Sequence, residues 1–133
     1  MMLELSLLLS ALLFGGMVLY TFGFAAFVFS ALPASTAGPL IRQAFPHFYL
    51  FVFGASVLAA CITAFLDPLS ALILAAIAST TVIARQMLMP AINAATDAQE
   101  KRRFKVLHTV SVLITLAHIA GAAIVVVRLA RIG

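Results

Sequence analysis

Two stretches of the chain place side chains capable of chemistry inside apolar surroundings. The first is RQMLMPAIN, Arg85 to Asn93, which follows an uncharged run from Pro68 to Ala84. The second is the start of the last apolar run. At about 100° per residue, Phe104, His108, Ser111, Thr115 and His118 fall there within a band of roughly 80° on one helix face. A guanidinium offers five fixed donors, and amides and hydroxyls add adaptable ones. Arg85, Gln86, Asn93, His108, Ser111 and Thr115 are therefore the candidate ligand-binding residues. An imidazole at His108 could hold an anion when protonated, ligate a metal when neutral, or bond to a neighbouring helix.

Around Arg85 the spacing puts Met89, Ile92 and Asn93 on the same helix side, with Thr81 one turn deeper. Pro90 cannot donate to the carbonyl of Gln86, so that carbonyl is expected to be free unless a side chain or water reaches it. The competing reading is that Arg85 snorkels to the headgroups while Pro90 ends the helix. His47, Tyr49, Lys105 and His108 are expected at the same depth. For a metal or haem group, the candidate ligands are His108, His118, His47, Met89 and Cys61, and soft sulfur ligands would favour copper. His108 and His118 stand about 15 Å apart along one helix, too far to be axial ligands of one iron, whereas His47 with His108 stays open. There is no Cys-x-x-Cys-His run, and the cofactor content is left unassigned.

The elements that must position these residues follow from composition. Of 133 residues, 65% are hydrophobic and 9% charged, and the mean hydropathy is +1.21, values outside the range of soluble domains. A spanning helix needs roughly 20 apolar residues, and the charges divide the chain into four such helices, about 5–32, 45–66, 68–92 and 104–130. The expected fold is an all-α membrane protein, an antiparallel four-transmembrane-helix bundle forming a single domain over 1–133. The first run is too long for a signal h-region and is expected to stay in the mature protein. Cys61 is the one cysteine, which excludes an intrachain disulfide.

Pro33, Gly38 and Pro39 predict a loop from Pro33 to Ala44, Asp67 before Pro68 predicts an N-cap and a tight hairpin, and Ala94 to Arg103 reads as a polar connection. Arg42, Lys101, Arg102, Arg103 and Lys105 lie at one end of the bundle, with Arg85 just inside it, and Arg128 and Arg131 lie at the other. The positive-inside rule then places the first end in the cytoplasm and both termini outside. On the second helix Tyr49, Phe53, Ser56, Ala60, Thr63 and Asp67 share a side; on the first, Gly16 and Gly23 permit close approach, with Ser6 and Ser10 nearby. The Ser and Thr side chains are expected to bond between helices.

FGGM from Phe14, ALP from Ala31, FPHFY from Phe45, RQMLMPAIN with Asp97 after it, and RRFKVLHTVSVL from Arg102 together resemble the four-helix domain of unknown function typified by transmembrane protein 205. The resemblance runs from the first helix into the fourth. It implies a small bacterial inner-membrane protein or its eukaryotic counterpart, without a settled activity. The motif positions it carries over are Gly16, Pro33, Phe45, Pro46, Arg85, Pro90, Asn93, Phe104, His108 and Ser111. An asparagine common in that family is replaced here by Thr115.

Three classes of function fit these residues: a ligand-binding or transport protein with a polar cluster at the cytoplasmic ends of helices 2 to 4, a haem- or copper-binding redox protein, and an assembly protein using Lys101 to Lys105. The expected partners are the lipid bilayer and, for a transporter this thin, further copies of the chain. Nucleic acid is not indicated, because the basic residues sit at membrane edges. Soluble-enzyme chemistry is disfavoured by the lack of a nucleophile with its base, paired carboxylates or a phosphate-cradling loop.

Overall fold

The computed structural model describes residues 1–133 and contains helices and no strand. Four long helices carry the chain: α1 Met2–Ala31, α2 Ala34–Thr63, α3 Pro68–Asp97 and α4 Lys101–Ile132. Each is long and apolar enough to cross a membrane. At about 1.5 Å per residue, each outruns a ~30 Å hydrocarbon layer by roughly 15 Å. The chain is an integral membrane protein, and the excess length is taken up by tilt or by projection past the hydrocarbon. Consecutive helices are packed as antiparallel neighbours, and α1 also meets α4, which closes the bundle. One end carries the α2–α3 turn with Asp67; the other, the basic end, carries Lys101, Arg102 and Arg103.

Each helix buries one stripe at three- and four-residue spacing, as the helical period requires. These are Ser6, Ser10, Leu13 and Met17 on α1; Val52, Ser56, Ala59 and Thr63 on α2; Ser70, Leu74, Ile77 and Thr81 on α3; and His118, Ala122, Val125 and Leu129 on α4. The opposite faces show Leu8, Leu58, Leu72 and Leu113 outward, where lipid solvates them. Gly16 matters for packing. A Cβ there would fall 2.5 Å from Cε1 of Phe51, so glycine lets the α2 ring lie against the α1 backbone. Gly23 gives no such approach, because its nearest neighbour is Leu19 of its own helix.

Three boundaries differ from the sequence expectation. Helix α2 starts at Ala34 rather than Phe45 and continues through Pro39 and Pro46. Each proline removes one helical hydrogen bond. The segment has its own small core to offset that loss: Ala37 and Ile41 pack on Val28 of α1, with Ala25 and Phe45 around them. The expected loop from Pro33 to Ala44 is thus a break at Leu32 and Pro33 followed by helix.

Helix α3 likewise does not end at Pro90 but runs on to Asp97. A π-helical turn at Ala84–Leu88 absorbs the proline, and the Met89 amide reaches the carbonyl of Ala84, five residues back. With that amide committed and Pro90 having none, the carbonyl of Arg85 loses its helical partner as well as that of Gln86. Finally, α4 begins at Lys101 and not at Phe104, so the connection shrinks to Ala98–Glu100. The Glu100 amide donates to Ala95 at 2.9 Å and the Gln99 amide to Thr96 at 3.1 Å, while Gln99 sits at φ 58°. This is a Schellman ending with glutamine in the left-handed position that glycine usually fills.

A left-handed non-glycine residue costs about 1 kcal/mol. Gln99→Gly is therefore expected to raise the unfolding midpoint in detergent by that order of stability. An unchanged or lower midpoint would contradict the turn geometry.

Candidate functional site

Exposure along the polar face of α4 falls with distance from the basic end. Phe104 and His108 are exposed, Ser111 and Thr115 are half-buried, and His118 and Ala122 are buried. The cause lies in α1. Its contacts with α4 are concentrated in Met2–Val18; beyond them α1 makes a π-helical turn at Leu19–Ala25 and rests on α2 through Val28. The basic half of α4 is left open on that side, and its polar face is covered progressively toward His118.

Aromatic rings from α1 and α2 form the facing wall. Tyr20, within the π-helical turn, stacks on Phe48 with centroids 4.3 Å apart and meets Phe45 edge-on at 5.6 Å. The buried Tyr49 packs against both phenylalanines, and its hydroxyl lies 3.5 Å from Oγ of Ser111, a contact from α2 to α4. The Tyr20 hydroxyl is buried with no partner. Sequence reasoning passed over Tyr20, whose one signal was a phenol in the middle of an apolar run.

On α3, Arg85 lies half-buried inside the π-helical turn. Its Nε–H donates to the carbonyl of Pro46 at 3.4 Å, a long bond that ties α3 to α2. This is its one bond to the protein, so its terminal nitrogens remain unspent. Met89, Ile92 and Asn93 are half-buried and Thr81 is buried, as the shared-face reading expected. Gln86 is exposed, away from this face. His108 is also exposed and stacks on Phe104 one turn earlier, with centroids 5.4 Å apart and planes 7° from parallel. The structure therefore gathers Arg85, Asn93, Ser111 and Thr115 on inward or half-inward faces, while Gln86, His108 and His47 face out.

Most hydroxyls do not bond between helices as expected. Ser56 donates to Val52, Thr81 to Ile77, Thr96 to Ile92 and Thr109 to Lys105, each to the carbonyl four residues back in its own helix. The exception besides Ser111 is Thr80, whose Oγ1 lies 2.6 Å from Nε2 of His118. Thr80 donates its own hydrogen to Ala76 at 2.7 Å, which assigns the ring proton to Nε2 and leaves Nδ1 with a lone pair. The suggested metal ligands are dispersed. Cys61 is exposed near the Asp67 end, and no three His, Cys, Asp or Glu side chains come together; Phe53, expected on the shared face of α2, is exposed as well.

Ion pairs fix both ends. At the basic end Arg42 bonds bidentately to Asp97 at 2.8 and 3.0 Å, joining α2 to α3. At the other end Arg128 bonds bidentately to Asp67, also at 2.8 and 3.0 Å, and Ser70 donates to the same carboxylate. Asp67 holds the N-cap position before Pro68 as expected, but its side chain makes no cap bond; it is committed to Arg128 and Ser70. Arg128, then Ser70, hold the Asp67 carboxyl down at about 2. Because the folded value lies below the unfolded one, the pair stabilises fully above the ordinary carboxylate value and is lost as pH falls through about 2. The unfolding midpoint is expected to drop across that interval, and Asp67→Asn to lack this part of the drop; identical profiles would contradict the pairing.

Among curated proteins and among solved structures nothing matches the chain. A family described as domain of unknown function (DUF4149) matches residues 8–102, which covers α1 from Leu8, all of α2 and α3, and ends in the first turn of α4. Arg85, Pro90, Asn93 and the aromatic wall lie inside the match, and the His108–Ser111 segment lies beyond it. The chain belongs to the DUF4149 family.

Proposed function

We propose that this protein binds a small anionic or strongly polar ligand in the basic half of the bundle, and in an oligomer transports it. Arg85 is the anchor, Asn93, Ser111 and Thr115 supply adaptable donors, and Tyr20 and Tyr49 form the opposing wall. The finer identity that goes with this reading is a transmembrane protein 205-like chain of the bacterial inner membrane. The basic end faces the cytoplasm and both termini face outward, following the excess of Lys and Arg at that end.

The observation that carries the proposal is the state of Arg85. It lies about 25 Å along α3 from Pro68, within hydrocarbon depth, and no carboxylate pairs with it. Asp97 is taken by Arg42, Asp67 by Arg128, and Glu100 faces Arg103 at 3.8 Å. A guanidinium at such depth is costly unless it meets a counter-charge or a water-filled cleft, and such residues characteristically mark ligand paths. His108 at the mouth, once protonated, adds a second cation for an incoming anion.

Thermal-shift measurements in detergent with inorganic phosphate, acetate, citrate and succinate test the reading. At least one anion is expected to raise the unfolding midpoint of the wild type, with the shift lost in Arg85→Ala and partly kept in Arg85→Lys. Equal shifts in wild type and Arg85→Ala would remove Arg85 from the site.

A further inference from the structure

The half of the bundle toward Asp67 is closed where the basic half is open. Leu13, Leu74, Ala122, Val125 and Leu129 are fully buried there. Hydroxyls are buried equally deeply among them: Ser6, Ser10, Ser56, Thr63 and Ser70 all have 0% exposure. Ser56 bonds to Val52 and Ser70 to Asp67, but the hydroxyls of Ser6, Ser10 and Thr63 have no partner. Unpaired hydroxyls in such surroundings are unfavourable, and alanine at the serine positions would pack comparably.

Their depths form a series. With Met2, Thr63, Pro68 and Arg128 taken as one level, and about 1.5 Å per residue, Ser70 lies ~3 Å in, Ser6 ~6 Å, Ser56 ~10 Å, Ser10 ~12 Å and His118 ~15 Å. The series starts at the Asp67–Arg128 pair and ends at His118, where the partly exposed stretch of the polar α4 face stops. Polar groups therefore line the bundle from one end to the other, although the closed half has no open column for a hydrated ion.

We propose that the bundle conducts protons along this line, with His118 as the relay between the open basic side and the hydroxyl series. This inference stands independently of the ligand reading. A proton from water on the basic side adds to the lone pair on Nδ1 of His118, giving an imidazolium. Rotation of the ring away from Thr80 brings one N–H to the hydroxyl side, loss of that proton restores the neutral ring, and return to the Thr80 bond resets it. Each hydroxyl accepts one proton and passes on its own, so only N–H and O–H bonds form and break, and nothing is oxidised. Water entering transiently between Ser10, Ser56 and Thr63 bridges steps longer than a hydrogen bond.

No other ionisable side chain shares the level of His118. Toward the basic end the nearest are Arg85 on α3, Tyr20 on α1, Tyr49 on α2 and His108 on α4; toward the other end they are Glu4 of α1, exposed and paired with the terminal amine, then Asp67 and Arg128, with Cys61 of α2 facing outward. A histidine among buried hydroxyls at mid-depth is a recurring composition of proton relays.

The test is proton flux into vesicles containing the purified protein and a trapped pH-sensitive dye, driven by a potassium gradient with valinomycin. Wild-type protein is expected to acidify the interior faster than protein-free vesicles, and His118→Leu to bring the rate down to theirs. Thr63→Val keeps the side-chain shape and removes the unpartnered hydroxyl, so a lower flux in this variant supports the relay even if His118→Leu fails to fold. Wild-type flux equal to that of protein-free vesicles, or wild-type flux retained in Thr63→Val and in folded His118→Leu, would overturn the proposal.

Discussion

The arrangement depends on the contact between α1 and α4 covering half their length. Met2–Val18 seals α1 against α4, with Leu13 and Met17 in the common core alongside Val125 and Leu129. Beyond Val18 the π-helical turn Leu19–Ala25 redirects α1 toward α2, where Val28 joins Ala37 and Ile41. Had α1 continued along α4, Ser111 and Thr115 would be buried like His118. Instead one helix face is half-open in one half of the bundle and closed in the other. The same turn brings Tyr20 onto Phe48 and gives the open half an aromatic wall.

Electrostatics complements this asymmetry. In hydrocarbon a charge must find a partner, a water-filled space or the headgroup region. The carboxylates Asp67 and Asp97 stand at opposite ends, and each is met bidentately by an arginine from another helix. These pairs pin helix ends where water and headgroups screen them, so their contribution is to register more than to stability. They also leave Arg85, inside the span of α3, without a carboxylate, which distinguishes it from Arg42 and Arg128.

Much of this was legible in the sequence because the bilayer imposes lengths and faces. Hydrocarbon thickness fixes the number of spans, and the 100° period puts His108, Ser111, Thr115 and His118 in one band, which the graded burial of α4 reproduces. The Asp67–Pro68 turn was readable from local chemistry. The collar of α2 was not: Pro33, Gly38 and Pro39 give a strong loop signal, and the residues that override it, Val28 with Ala37 and Ile41, act through tertiary packing. The π-helical turns leave no local pattern, yet one of them takes the Met89 amide away from the Arg85 carbonyl. The ion pairs join residues 55 and 61 positions apart, and a single sequence says little about separations of that size. The hydroxyls misled in a different way. Ser56 and Thr81 lie inside the bundle but bond within their own helices, and Ser6, Ser10 and Thr63 bond to nothing.

The most direct test of a cleft closed at His118 is a cysteine-accessibility scan down α4 in a Cys61→Ala background, using a membrane-impermeant thiol reagent applied from the basic end. The account predicts labelling at His108→Cys, Ser111→Cys and Thr115→Cys, a sharp fall at Ala122→Cys and Val125→Cys, and protection of the lipid-facing Leu113→Cys and Leu116→Cys throughout. Protection of Ser111→Cys and Thr115→Cys to the same degree as Leu113→Cys would mean that no aqueous cleft exists in the basic half.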